Sequence, residues 1–171
     1  MTTSQYVLNL GLLAYILGAN LGIRPVTRTR FLLPLVLVAA AGAVLLRPLP
    51  TLGNDVALEA IGVAAGAAFG AVAGLLVRVR EDAGHITMTA GAWYAALWIA
   101  VIGGRVLFAY GAEHWYPRAI AEFSVQHQIT GSEAWTSAFV LMALTMVLMR
   151  VAVTALRAGL VRRGNARLAV A

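Results

Sequence analysis

A glycine recurs at every fourth position through the apolar run of residues 56–77, at Gly62, Gly66, Gly70 and Gly74. Alanines at 57, 60, 64, 65, 67, 68, 71 and 73 fill most of the gaps, so one helix would offer a neighbour a nearly bare backbone. At 1.5 Å per residue the run is about 33 Å long, close to the hydrocarbon thickness of a bilayer. In water each interior glycine would cost about 1 kcal/mol of helix propensity. In lipid the helix satisfies its own backbone hydrogen bonds, and small residues become the points where helices approach closely. The run therefore predicts a membrane-spanning helix with a packing face.

On a helical wheel each successive glycine advances by about 40°, a slow drift that suits a right-handed crossing. Leu58, Ile61, Val72, Leu75 and Leu76 gather on the opposite side and predict a lipid-facing wall. Glu59 falls in the middle of the glycine face and Asp55 lies close by, so the acid of this segment is expected to point into protein.

Composition extends the argument to the whole chain. With 61% of its 171 residues apolar and 12% charged, the chain reads as a single membrane domain over residues 1–171, with no second domain. The net charge of +6 comes from thirteen arginines and no lysine. These flank the apolar runs instead of forming one patch, which speaks for topology signals and against nucleic acid as a partner. The absence of cysteine excludes disulfides, thiolate metal sites and thiol redox chemistry.

Taken in order, the chain predicts an all-α integral membrane bundle of five transmembrane helices at about residues 6–23, 31–46, 56–77, 86–110 and 134–156. The first run has its positive charges after it, at Arg24, Arg28 and Arg30, so it is read as a retained span and not a signal peptide. Pro25 is expected to end that span, Pro34 to sit in the first turn of the second, and Asn54 or Asp55 to cap the third. Arg78 and Arg80 close the third span and residues 82–84 make a turn. On the fourth span Thr87, Gly91, Tyr94, Trp98 and Arg105 fall along one line of the wheel. Residues 113–133 form an extracytoplasmic loop in which 117–128 predict a short interfacial helix, and Thr130 and Glu133 have capping-box spacing before the last span. Residues 157–171 form a basic tail. The arginine distribution puts the N-terminus outside and the C-terminus in the cytoplasm, and the all-arginine basic set suggests a bacterial source, so the expected membrane is a bacterial plasma membrane.

Candidate chemistry is sparse. Asn9, Glu59 and Arg105 are expected at similar depths, and intramembrane charges are usually paired or functional. One arrangement is a structural ion pair between Glu59 and Arg105, with Asn9 as a hydrogen-bond partner. The other is an outward-facing polar cleft that binds a lipid or small solute, with Tyr94 and Trp98 lining its floor. Arg150 is expected to snorkel to the inner surface. Met142, Met146 and Met149 read as soft core packing and not a copper site. His85, His114 and His127 fall in loops or at helix ends, away from the facing positions that haem ligation needs. No phosphate-cradling loop, zinc spacing or nucleophile elbow is present. The expectation is no metal and no cofactor, and a chain that is not an enzyme, with an intramembrane enzyme as the second alternative to the solute carrier.

Residues 30–34 opening the second span, the glycine-rich third span ending in Arg78-Val79-Arg80, the turn at 82–84, and Trp98 followed by Arg105 resemble the CcdC-like families of small bacterial multi-pass membrane proteins. The resemblance covers roughly residues 24–112. It implies a multi-pass bundle with no agreed active site, and the lack of cysteine speaks against thiol transfer here. The expected partners are the lipid bilayer and either a second copy of this chain or a larger membrane complex. The expected role is packing, as an accessory component of that assembly.

Overall fold

The computed structural model describes residues 22–25, 28–45, 53–82 and 85–168, with the single positions Gly11 and Gly18. The first expected span, and Asn9 with it, lies almost wholly outside the described residues. In order come β1 (Gly22–Pro25), α1 (Arg28–Leu45), α2 (Asp55–Leu76), β2 (Arg78–Asp82), β3 (His85–Ala90), α3 (Ala92–His114), α4 (Pro117–Gln126) and α5 (Ser132–Leu168). Among the described residues the fold is helical apart from one small sheet, and three helices, α2, α3 and α5, are long and apolar enough to cross a membrane.

The centre of the structure is α2 laid against α5. Gly62, Gly66, Gly70 and Gly74 are all buried. A Cβ on Gly62 would lie 2.4 Å from the Ala138 carbonyl oxygen, one on Gly66 2.2 Å from that of Met142, and one on Gly70 2.4 Å from that of Met146. At Gly74 it would lie 2.7 Å from Val153 Cβ. The carbonyl oxygens met, those of Ala138, Met142, Met146 and, at Gly74, Arg150 at 3.2 Å, climb by four residues with the glycines, so α2 and α5 run parallel with backbone against backbone. On the far side of α2, Ile61, Val72 and Leu75 are exposed. Leu58 and Leu76, expected on the same wall, are half-buried, and Leu76 packs against the core.

Both ends of this pair are tied by polar contacts. At the start of α2, Asp55 is fully buried and accepts from the Thr130 amide at 2.9 Å and from the Thr130 hydroxyl. The Asn54 amide donates to the Gln128 carbonyl at 3.1 Å and Asn54 Nδ2 to the His127 carbonyl at 3.0 Å. Gly53 makes this approach possible, because it has a φ of +56° and a Cβ there would stand 2.2 Å from the Gln128 oxygen. At the other end Arg157 Nη1 donates to the carbonyls of Gly74, Leu75 and Val77 at 3.0, 2.9 and 2.5 Å. A cation there satisfies terminal carbonyls and complements the helix dipole. Two expected caps are thereby corrected: Asn54 makes no side-chain cap bond on α2. Thr130 holds Asp55 instead of opening α5, which begins at Ser132.

Helix α3 runs antiparallel to α5. Tyr94 meets Arg150 near one end, while Phe108 meets Trp135 and Phe139 near the other. Exposed Trp93 (79%) and Trp115 (62%) mark its two ends. Their separation of about 33 Å along the helix matches a hydrocarbon slab, and tryptophan favours its two interfaces.

The fourth span does not begin at residue 86. Residues 85–90 are β3, the middle strand of a sheet of order β1-β3-β2 in which both pairings are antiparallel. Ile86 and Ala90 are buried and Met88 packs on the core, in alternation with Thr87 and Thr89, which is a period of two and not of a helix. Thr87 and Gly91 therefore leave the stripe assigned to the fourth span. The end of the first span changes likewise, since Gly22–Pro25 pairs with β3. Proline is tolerated there because β1 is an edge strand. Pro34 lies inside α1, which starts at Arg28 and not at 31. Helix α5 continues to Leu168, so the expected tail carries on as helix.

The close approach predicts an asymmetry between glycines. Gly66→Ala should cost about 1–3 kcal/mol, because its Cβ meets a backbone oxygen that cannot move alone. Gly104→Ala, on an open face with no atom within 4 Å, should stay within about 0.5 kcal/mol of the parent. Reversible unfolding in mixed detergent micelles measures both.

Candidate functional site

The polar residues that could do chemistry are sorted to opposite ends of the bundle. At the end carrying α4, the loop end, Asp55 and Glu59 sit one turn apart on the buried face of α2. Glu59 is 9% exposed, and its Oε1 has no hydrogen-bond partner among the described residues. Ser137 of α5 is buried in the same half of the bundle. Ser124 of α4 is also buried and accepts from Trp135 Nε1 at 3.2 Å. Rings of Phe108, Trp135, Phe139 and Phe123 join α3, α4 and α5 around that bond, with centroids 5.3 to 6.1 Å apart. Edge and tilted contacts of this kind add to the area they bury.

Arg105 lies in the body of α3, half-buried, with its guanidinium 5.8 Å from the centre of the Phe139 ring. The expected ion pair with Glu59 is absent. The reason is the packing order: α5 supplies the main partner face of α2, so Arg105 meets an α5 ring and not the α2 carboxylate.

Tyr94 and Trp98 belong to the other end, the sheet end. Tyr94 is fully buried and Trp98 nearly so, in a cluster with Ala73, Val77, Ala90 and Met146. Arg150 does not turn outward to the surface. Its guanidinium lies 5.3 Å from the centre of the Tyr94 ring, a cation over the face of an aromatic. Ala73 is fourteen residues along α2 from Glu59, about 21 Å of helix. Of the five residues proposed for one cleft, Glu59 and Arg105 thus lie in the loop-end half without meeting, the Tyr94–Trp98 pair lies toward the sheet, and Asn9 lies outside the described residues.

The remaining candidates are structural in their contacts. Met146 is buried against Gly70, and Met142 and Met149 also border the glycine face. His114 Nδ1 donates to the Tyr110 carbonyl at 3.1 Å and His127 Nδ1 to the Phe123 carbonyl at 2.9 Å, each within its own turn of chain. Among the described residues no three His, Asp or Glu side chains gather in a metal-binding group. Two functional contacts escaped the sequence: Arg157 as the cap of α2, and Thr130 as the partner of Asp55. Each joins residues 75 or more apart in the chain, and neither carries a local spacing that would announce it.

Against known protein families, curated proteins and solved structures, the chain finds no match.

The two carboxylates of the loop end predict opposite responses. Asp55→Ala removes both Thr130 hydrogen bonds to a buried carboxylate and should cost about 1–3 kcal/mol. Glu59→Met removes a buried carboxylate whose Oε1 has no partner among the described residues and should leave the melting temperature in detergent unchanged or raise it. Thermal unfolding of the two variants beside the parent distinguishes these outcomes.

Proposed function

We propose that this chain is a non-enzymatic, five-span component of the bacterial plasma membrane, N-terminus outside and C-terminus cytoplasmic. Its role is to pack against a neighbouring membrane protein or a second copy of itself. In this reading α2 and α5 form a rigid post closed by a glycine zipper within the chain, and α3 carries the outward contact. One observation carries the proposal. Trp93, Ala96, Ile99, Ala100, Gly103, Gly104 and Leu107 form one exposed face of α3, and among the described residues a Cβ at either glycine would meet nothing within 4 Å. A helix that shows lipid small residues where its bulk is needed elsewhere is built for close approach by another helix. The exposed leucines and valine of α1, Leu32, Leu33, Leu35, Val36 and Leu37, support membrane contact for that helix too. The arginines after β1, along β2 and on the far part of α5 support the stated orientation. The order of features resembling the CcdC-like families supports the same class of protein.

The reading as a carrier with an outward cleft has less behind it. It needs Glu59, Arg105, Tyr94 and Trp98 around one cavity, and they are separated along the bundle. An enzyme would need a nucleophile with a base in reach, and His114 and His127 are engaged with carbonyls of their own helices.

Because the chain has no cysteine, single cysteines are clean probes. In native membranes Gly104→Cys should cross-link to a second copy or to a distinct protein, while Ile61→Cys on the lipid side of α2 should not. Only uncross-linked chain at Gly104 and at the neighbouring α3 positions would remove the proposed contact. A membrane-impermeant maleimide should label Val125→Cys from outside intact cells and leave Arg163→Cys unlabelled until the cells are opened.

A further inference from the structure

The sheet end carries a charged surface that the assembly reading does not use. Arg78 and Arg80 are exposed and alternate along β2 with half-buried Val79, so both leave the same face of the sheet. Across the ladder they stand opposite Thr89 and Thr87. Helix α5 packs beside β2 and runs on past Arg157, whose bonds to the last carbonyls of α2 mark where that span ends. Beyond that level Arg162 and Arg163 are exposed. Of the acids of β2, strand alternation puts Glu81 on the face opposite Arg78 and Arg80 and Asp82, the last residue of the strand, at a position on their own face, so the surface carries one acid against four arginines. Exposed large apolar side chains flank the arginines along the chain: Leu75 just before Arg78, Leu160 just before Arg162, and Trp93 just after β3.

We propose that this surface binds the headgroups of anionic phospholipids. Guanidinium groups pair with phosphate through two parallel hydrogen bonds, and all the cations here are arginine. Clusters of four or more basic residues immediately beyond a span concentrate anionic lipid. The apolar neighbours decide between partners. An acidic protein or a nucleic acid would have to meet the arginines at the hydrocarbon edge that exposed Leu75 and Trp93 mark, where phospholipid headgroups already lie. A phospholipid accounts for both, its phosphate meeting the guanidinium groups and its acyl chains the leucines and tryptophan.

The test is lipid retention by the full-length protein purified in mild detergent and offered equal amounts of phosphatidylglycerol and phosphatidylcholine, with bound lipids counted by native mass spectrometry. The parent should retain phosphatidylglycerol about tenfold or more over phosphatidylcholine, and the preference should fall as salt is raised. The variant R78Q/R80Q/R162Q/R163Q should bring the two lipids to parity with an unchanged melting temperature, since all four side chains are exposed. If that variant does not fold, R78Q/R80Q and R162Q/R163Q separately should each remove part of the preference. Equal retention by the parent, or a preference that survives the folded substitutions, overturns the proposal. So does full displacement of phosphatidylglycerol by millimolar inorganic phosphate, which would mark a free-anion site. Binding of an acidic protein or of nucleic acid by a parent with no lipid preference overturns it as well.

Discussion

The structure depends on two helical backbones being allowed to touch. Where Gly62, Gly66 and Gly70 face Ala138, Met142 and Met146, a single added carbon would sit 2.2 to 2.4 Å from a carbonyl oxygen, inside any tolerable contact. Lipid chains are as apolar as leucine, so burial of apolar surface gives helices in a bilayer little reason to associate. What remains is dispersion between closely fitted surfaces, which rises steeply as the gap closes. Four glycines in register convert that weak term into a continuous seam. Polar ties at Asp55–Thr130 and at Arg157 then fix its ends, where water or headgroups can no longer loosen it.

Everything else is arranged around this pair. Because α5 covers the glycine face, α3 must find its place against α5, through Phe108 on Trp135 and Phe139 and through Tyr94 under Arg150. The small sheet closes the bundle below Tyr94 and Trp98, with Met88 and Val79 packed against that cluster and the arginine face turned away. Arg105 and Glu59 therefore have separate fates. Arg105 rests on a ring, and Glu59 is buried beside the seam with its Oε1 unpartnered among the described residues.

The sequence made some of this legible and hid the rest for physical reasons. A strict spacing of four is a local pattern, and it marks the buried face of α2 and puts Ile61, Val72 and Leu75 on the exposed one. The identity of the partner is not local. No spacing within residues 56–77 says whether the glycines meet another copy or a helix seventy residues later. The strand at 85–90 was missed because its residues are apolar enough to extend the following helix. Its signal was the alternation of Ile86, Met88 and Ala90 with two threonines, which composition averages away. The pairing of Glu59 with Arg105 was inferred from depth alone, and depth does not say which helix stands between.

Arg157 has a consequence for how the protein is made. The carbonyls it holds belong to a helix that leaves the ribosome some eighty residues earlier. Until α5 emerges, that earlier helix waits in the membrane with its bare side uncovered and its end uncapped, while two strands and two further helices follow it. Emergence of α5 and closure of the core are thus one event. A polypeptide cut short before residue 157 would remain recognisably unfinished to the proteases that patrol the membrane.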